Sequence, residues 1–276
     1  MIDLILEPLS YAFMQRGLIA AVLVGIVCAL VGTYIVLRGM TFFGDALAHA
    51  ILPGVAVGYM VGSGAQGPTF WGALVTAVLA SLGIGAISRN TRLGEDTAIG
   101  IIFAGMFALG IAMISSMGSY AVDLTHFLFG NVLGVSSADL WLTAGLGGLV
   151  VLVVIAFYKE FLVLAFDPVL AVTLRLPSRT LEYLLLILIA ITIVVSLQTV
   201  GIALMVAMLV TPAATALLLT RRVHIMMILA AAIAAASGVI GLYISYYIGI
   251  ASGAAIVLAC TAVFLIVWGI QAIRNR

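Results

Sequence analysis

Nine stretches of this chain are long and apolar enough to cross a membrane, and this limits its fold more than any other feature. They lie near 17–37, 42–62, 69–88, 97–117, 139–158, 181–197, 201–219, 224–247 and 251–271. About 20 apolar residues in helical form cover the ~30 Å of a hydrocarbon core. Within hydrocarbon every backbone amide must find its partner inside the chain, so spans of this kind are helices. The expected fold is all-α and polytopic. Residues 196–199 (Ser-Leu-Gln-Thr) separate two of the runs only thinly, so eight spans stand beside nine as a possibility.

Composition agrees. The 276 residues are 65% hydrophobic and 8% charged, with a mean hydropathy of +1.37. Soluble domains carry about 25% charged residues. No polar stretch is long enough to hold a nucleotide-binding or catalytic domain, so one transmembrane domain over residues 1–276 is expected. A net charge of +1 gives no sign of nucleic-acid binding. Cys28 and Cys260 both lie in apolar runs, which supports neither a disulfide framework nor a cysteine metal cluster.

The basic residues orient the chain. Arg38, Arg89, Arg92, Lys159, Arg175, Arg179, Arg221, Arg222, Arg274 and Arg276 fall in alternate connections, while 63–68, 118–138, 198–200 and 248–250 hold no Lys or Arg. The first set is expected on the cytoplasmic side. A nine-span count then puts the N-terminus outside, although Arg16 runs against that. Small residues form ladders at helical spacing: Ala46, Ala50, Gly54, Gly58 and Gly62 in the second span, and Ser237, Gly241, Ser245 and Gly249 in the eighth. Such ladders let membrane helices approach closely.

Within the second span, Asp45 and His49 stand four residues apart, one turn along a shared helix face. A carboxylate at a helix centre costs roughly 2.5–3.5 kcal/mol even on lenient insertion scales, and such residues face a protein interior or a watery path. Pairing with Arg38 or capping a helix start are the structural alternatives for Asp45. Pro53 removes the helical partner of the His49 carbonyl and Pro212 that of Met208, so a kink is expected at each. Carboxylate, imidazole and a freed carbonyl make a mixed oxygen and nitrogen site, suited to Mn²⁺, Fe²⁺ or Zn²⁺ rather than Mg²⁺ or Cu⁺. One Asp and one His do not fill a coordination shell. A second copy of the chain about a two-fold axis would double them.

Other polar residues have plainer readings. Asp123, His126 and Asn131 in the outside segment could receive an ion or a delivering protein, or could simply be a solvated loop. Glu95 and Asp96 suit the first turn of a helix. Asp167-Pro168 combines a capping side chain with a first-turn proline, so a two-turn amphipathic helix near 167–176, ended by Pro177, is expected on the cytoplasmic face. It could lie on lipid or dock a cytoplasmic partner.

Four stretches together resemble the membrane permeases of zinc- and manganese-type ABC importers: Gly39 to Ala56 around the Asp45/His49 pair, Glu95 to Phe103, Phe166-Asp167-Pro168 with the helix after it, and Leu209 to Ala216. The resemblance implies a permease fold of the cobalamin- and metal-importer type in a bacterial plasma membrane. It further implies a homodimer served by two cytoplasmic ATPase subunits and an extracytoplasmic metal-binding protein. By the same resemblance Asp45 and His49 contact Mn²⁺ or Zn²⁺ in transit, and Asp167, Pro168, Val169, Leu170 and Ala171 belong to the element that couples to the ATPase. The absence of a Gly-rich Lys-Ser/Thr phosphate loop agrees with ATP hydrolysis on another chain. The rivals are an ion-coupled secondary metal transporter, a permease for a metal chelate such as a siderophore or cobalamin, and an intramembrane hydrolase. The last lacks any HExxH or GxSxG motif.

Overall fold

The computed structural model describes residues 7–62, 66–116 and 132–274. Apart from a single 3₁₀ turn (Val132–Gly134), its regular elements are α-helices: α1 (Ala12–Leu37), α2 (Phe43–Ala50), α3 (Leu52–Gly62), α4 (Gln66–Asn90), α5 (Glu95–Ser116), α6 (Ser137–Ala156), α7 (Tyr158–Phe166), α8 (Pro168–Thr173), α9 (Ser178–Val200), α10 (Ile202–Leu219), α11 (Val223–Ile248) and α12 (Ser252–Arg274). Counting α2 with α3, nine spans are long and apolar enough to cross a membrane among the described residues. The ninth is settled at Gly201. Its φ of 82° and ψ of 170° suit glycine alone, and they separate α9 from α10.

The helices group into two compact units. One comprises Met1–Val36, His126–Val151 and Val195–Arg276; the other comprises Leu37–Thr125 and Leu152–Val194. In the first unit, Gly32 of α1 lies so close to α10 that a Cβ would overlap the Leu209 carbonyl. Gly241 of α11 meets the backbone of Ile256 in α12 in the same way. The Gln271 side chain donates to the Leu218 carbonyl, which ties the last turn of α12 to that of α10. Helix α10 runs unbroken through Pro212.

In the second unit the glycine ladder of α3 packs on α4. A Cβ at Gly54 would collide with the Gly72 carbonyl and the Thr76 hydroxyl, and one at Gly58 with the Pro68 carbonyl. Helix α8 is built as its sequence dictates at the start. Asp167 Oδ1 accepts from the amides of Val169 (3.0 Å) and Leu170 (2.9 Å). It ends sooner than Pro177 would impose. The amide of Leu176 reaches the Ala171 carbonyl and that of Arg175 the Val172 carbonyl, with Arg175 left-handed at φ 55°. This bonding pattern closes a helix one turn early.

Candidate metal path

The second unit holds the polar pair. The second span breaks at Ile51, between α2 and α3, because Pro53 has no amide hydrogen to continue the ladder. The Ile51 amide turns back to the His49 carbonyl, and the Val55 amide takes the Ile51 carbonyl at 3.1 Å. The His49 carbonyl is therefore not stripped of donors, as Pro53 alone would suggest, though its second lone pair remains. Asp45 is the third residue of α2 and His49 the seventh, both half-buried on the same face.

The structural alternatives for Asp45 do not form. Phe42, not Asp45, occupies the cap position of α2, and no side chain caps it. Arg38 is bound elsewhere: its Nη2 lies 2.5 Å from Glu95 Oε1 and 3.3 Å from Glu182 Oε1. Glu182 in turn pairs with Arg89. Asp45 makes no hydrogen bond or ion pair among the described residues.

Helix α5 lies along the broken span. Phe103 and Phe107 face the imidazole of His49 at ring-centroid distances of 6.1 and 5.7 Å. A turn further, Gly110 packs against Leu52 and Pro53, where a Cβ would stand 2.5 Å from the Leu52 Cβ. At the other end of α5 the Arg38–Glu95–Glu182–Arg89 network lines one cavity with Leu164, Val172 and Ser178. Connections carrying basic residues thus converge at one end of this unit, as a single cytoplasmic face requires.

Asp123 and His126 lie outside the described residues, as does Asn131. No group of three or more His, Cys, Asp or Glu side chains able to hold a metal occurs among the described residues. Asp167 to Ala171 stand apart from the polar pair, on α8, with Val169 76% and Leu170 44% exposed and Ala171 buried. The sequence reading missed Glu182 and the two phenylalanines. An acidic residue early in an apolar span was a usable signal for Glu182. Phe103 and Phe107 carry none, since aromatic residues are ordinary membrane packing.

Nine helices long and apolar enough to cross a membrane among the described residues, one of them broken beside the Asp45/His49 pair, define a multi-pass membrane protein. The sequence profile of the ABC 3 transport family matches residues 10–271, and the chain belongs to that family. It is accordingly the membrane permease of an ABC transporter. It is 49% identical over 258 residues to the "Manganese transport system membrane protein MntC" of Halalkalibacterium halodurans, covering 94% of this chain and 87% of that one. It is 42% identical over 276 residues to a "Probable iron transport system membrane protein" of Haemophilus influenzae, covering 100% of each. Among solved structures it resembles PsaBC from Streptococcus pneumoniae, with a TM-score of 0.83 and 40% identity over 97% of this chain and 95% of that one. An inward-facing metal-chelate type ABC transporter aligns with a TM-score of 0.74 at 12% identity, over 92% of this chain and 85% of that one, and shows the fold alone.

Proposed function

We propose that this permease imports Mn²⁺, and that Asp45 and His49 hold the ion in transit. The observation that carries this reading is the pair itself. Both side chains sit one turn apart on α2, without a hydrogen bond or ion pair among the described residues, just before the break at Ile51. A carboxylate left unpaired at such a position is expensive unless it serves a passing cation. Relatives named for manganese at 49% and 51% identity favour that metal. Hard and borderline ligands together fit it.

Two ligands hold an ion loosely, and a conduction site has to release what it binds. A second copy of the chain would supply a second Asp45 and His49. In this reading an external metal-binding protein delivers the ion, two permeases enclose it, and two cytoplasmic ATPase subunits drive alternating access. Helix α8 is the contact to the ATPase, since Val169, Leu170, Val172 and Leu174 present an apolar surface outside the spans. Asp123 and His126 are assigned to the entry side of the path.

The test is uptake of radioactive manganese, with zinc and iron as competitors, in cells carrying the permease and its partners. Uptake is expected to vanish in His49→Ala and Asp45→Asn and with an ATPase-dead partner. Normal uptake by a membrane-inserted His49→Ala variant would refute the site. Uptake that survives loss of the ATPase would favour a secondary transporter.

A further inference from the structure

We infer that Phe103 and Phe107 are positioning residues for His49, holding its imidazole in one plane so that a ring nitrogen meets the ion beside Asp45. This rests on the reading of His49 as a metal contact. The three rings form one triangular cluster, with His49 stacked on Phe107 and tilted against Phe103. The imidazole lies 5.7 Å from Phe107 at 26° and 6.1 Å from Phe103 at 36°, and the two phenyl rings are themselves 5.7 Å apart at 22°. Phe42 meets Phe103 edge-on at 6.1 Å. The spacing is matched on the two helices: Asp45 and His49 are one turn apart on α2, Phe103 and Phe107 one turn apart on α5.

A metal-binding histidine ordinarily donates its second ring N–H to a carboxylate or carbonyl, which fixes the ring plane. Neither ring nitrogen of His49 has such a partner among the described residues. The stacked ring of Phe107 and the tilted ring of Phe103 stand in that place. They restrain rotation of the ring while leaving both nitrogens at its edge free. Their own position is set at both ends of α5, by the Glu95–Arg38 pair on one side and by Gly110 against Leu52 and Pro53 on the other.

Ordinary apolar packing would need volume only, so leucine would serve nearly as well as phenylalanine. A positioning role needs the flat face, which tyrosine keeps and leucine lacks. The experiment measures radioactive manganese uptake by the complete transporter in cells, with membrane abundance followed in parallel. The variants are Phe103→Leu/Phe107→Leu, Phe103→Tyr/Phe107→Tyr and His49→Ala. With the leucines, KM for manganese should rise roughly threefold to tenfold, the worth of one or two aromatic contacts, with maximal rate and abundance unchanged. The tyrosine variant should return KM to within about twofold of the wild type. An unchanged KM in the leucine variant, with uptake abolished by His49→Ala, would overturn the proposal and leave the metal contact standing. Lost abundance or maximal rate at constant KM, or no recovery with tyrosine, would mark the rings as packing and overturn it too. Normal uptake by His49→Ala would remove the metal contact and this inference with it.

Discussion

Replacing Asp167 with alanine should loosen the first turn of α8 and leave the spans intact. The amides of that turn are all accounted for. The Asp167 amide bonds the Val163 carbonyl at 2.9 Å, and Pro168 has none to satisfy. Those of Val169 and Leu170 both end on Asp167 Oδ1, at 3.0 and 2.9 Å. The substitution therefore strips two hydrogen bonds. Both residues are open to solvent, so water can replace the lost acceptor, and the cost stays near the usual cap value of about 1 kcal/mol. That corresponds to a factor of about 5 in the local folded population. A helix of six residues has no other reserve, because isolated short helices are unstable. The assay is amide hydrogen exchange on the permease in lipid nanodiscs. Val169 and Leu170 should exchange about fivefold faster, with α1 and α9 unchanged. Asp167→Asn keeps an acceptor oxygen and should recover most of the protection. Arg175→Gly should slow exchange instead, since it relieves a left-handed arginine at φ 55°. Wild-type exchange in Asp167→Ala would show that the carboxylate does not hold this turn.

Three further outcomes follow from contacts elsewhere. Gly54→Ala should destabilise the permease by at least about 1–3 kcal/mol, seen as a lower melting temperature in detergent, because its Cβ has only the Gly72 carbonyl and Thr76 hydroxyl to displace. Gly105→Ala, with nothing within 4 Å, is the control and should melt as the wild type does. Arg38→Gln leaves Glu95 without its cation and should cost on the order of 3 kcal/mol, because the Arg38 side chain is only 11% exposed. Arg38→Gln/Glu95→Gln should melt no lower than Arg38→Gln alone, and fully additive losses would argue against a direct interaction. Gly201→Ala should lower membrane abundance, since alanine does not tolerate φ 82° with ψ 170°.

Much of this architecture was legible because hydrocarbon imposes a strict rule. A chain that must satisfy its amides internally announces its spans as apolar runs, and the nine runs lie within a few residues of the helices observed. The thin polar separator at 196–199 left eight spans open beside nine because side-chain polarity is a weak signal there, whereas the turn is made by the backbone of Gly201. Asp45 and His49 could be singled out because charge is rare and costly in these segments. What faces them could not. Phe103 and Phe107 belong to another helix, and only the crossing of α5 over the break brings them to the imidazole. The partner of Arg38 was hidden for the same reason: three carboxylates, at 45, 95 and 182, compete for it, and helix packing decides between them.

The contact of α3 with α4 is backbone on backbone, with the Gly54 and Gly72 carbonyls each lodged where the other glycine lacks a side chain. Surfaces meshed in this way have no soft layer of side chains to shear. A slide of one residue, about 1.5 Å, would drive a Cβ into a carbonyl. Helices α3 and α4 are thus a single stiff plank. Helix α2, with Asp45 and His49, leans instead on α5 through side chains, the imidazole of His49 against the rings of Phe103 and Phe107. The joint between plank and cushion is Ile51. Any flexing of this unit concentrates there, directly beside the histidine, so the polar pair sits at the pivot.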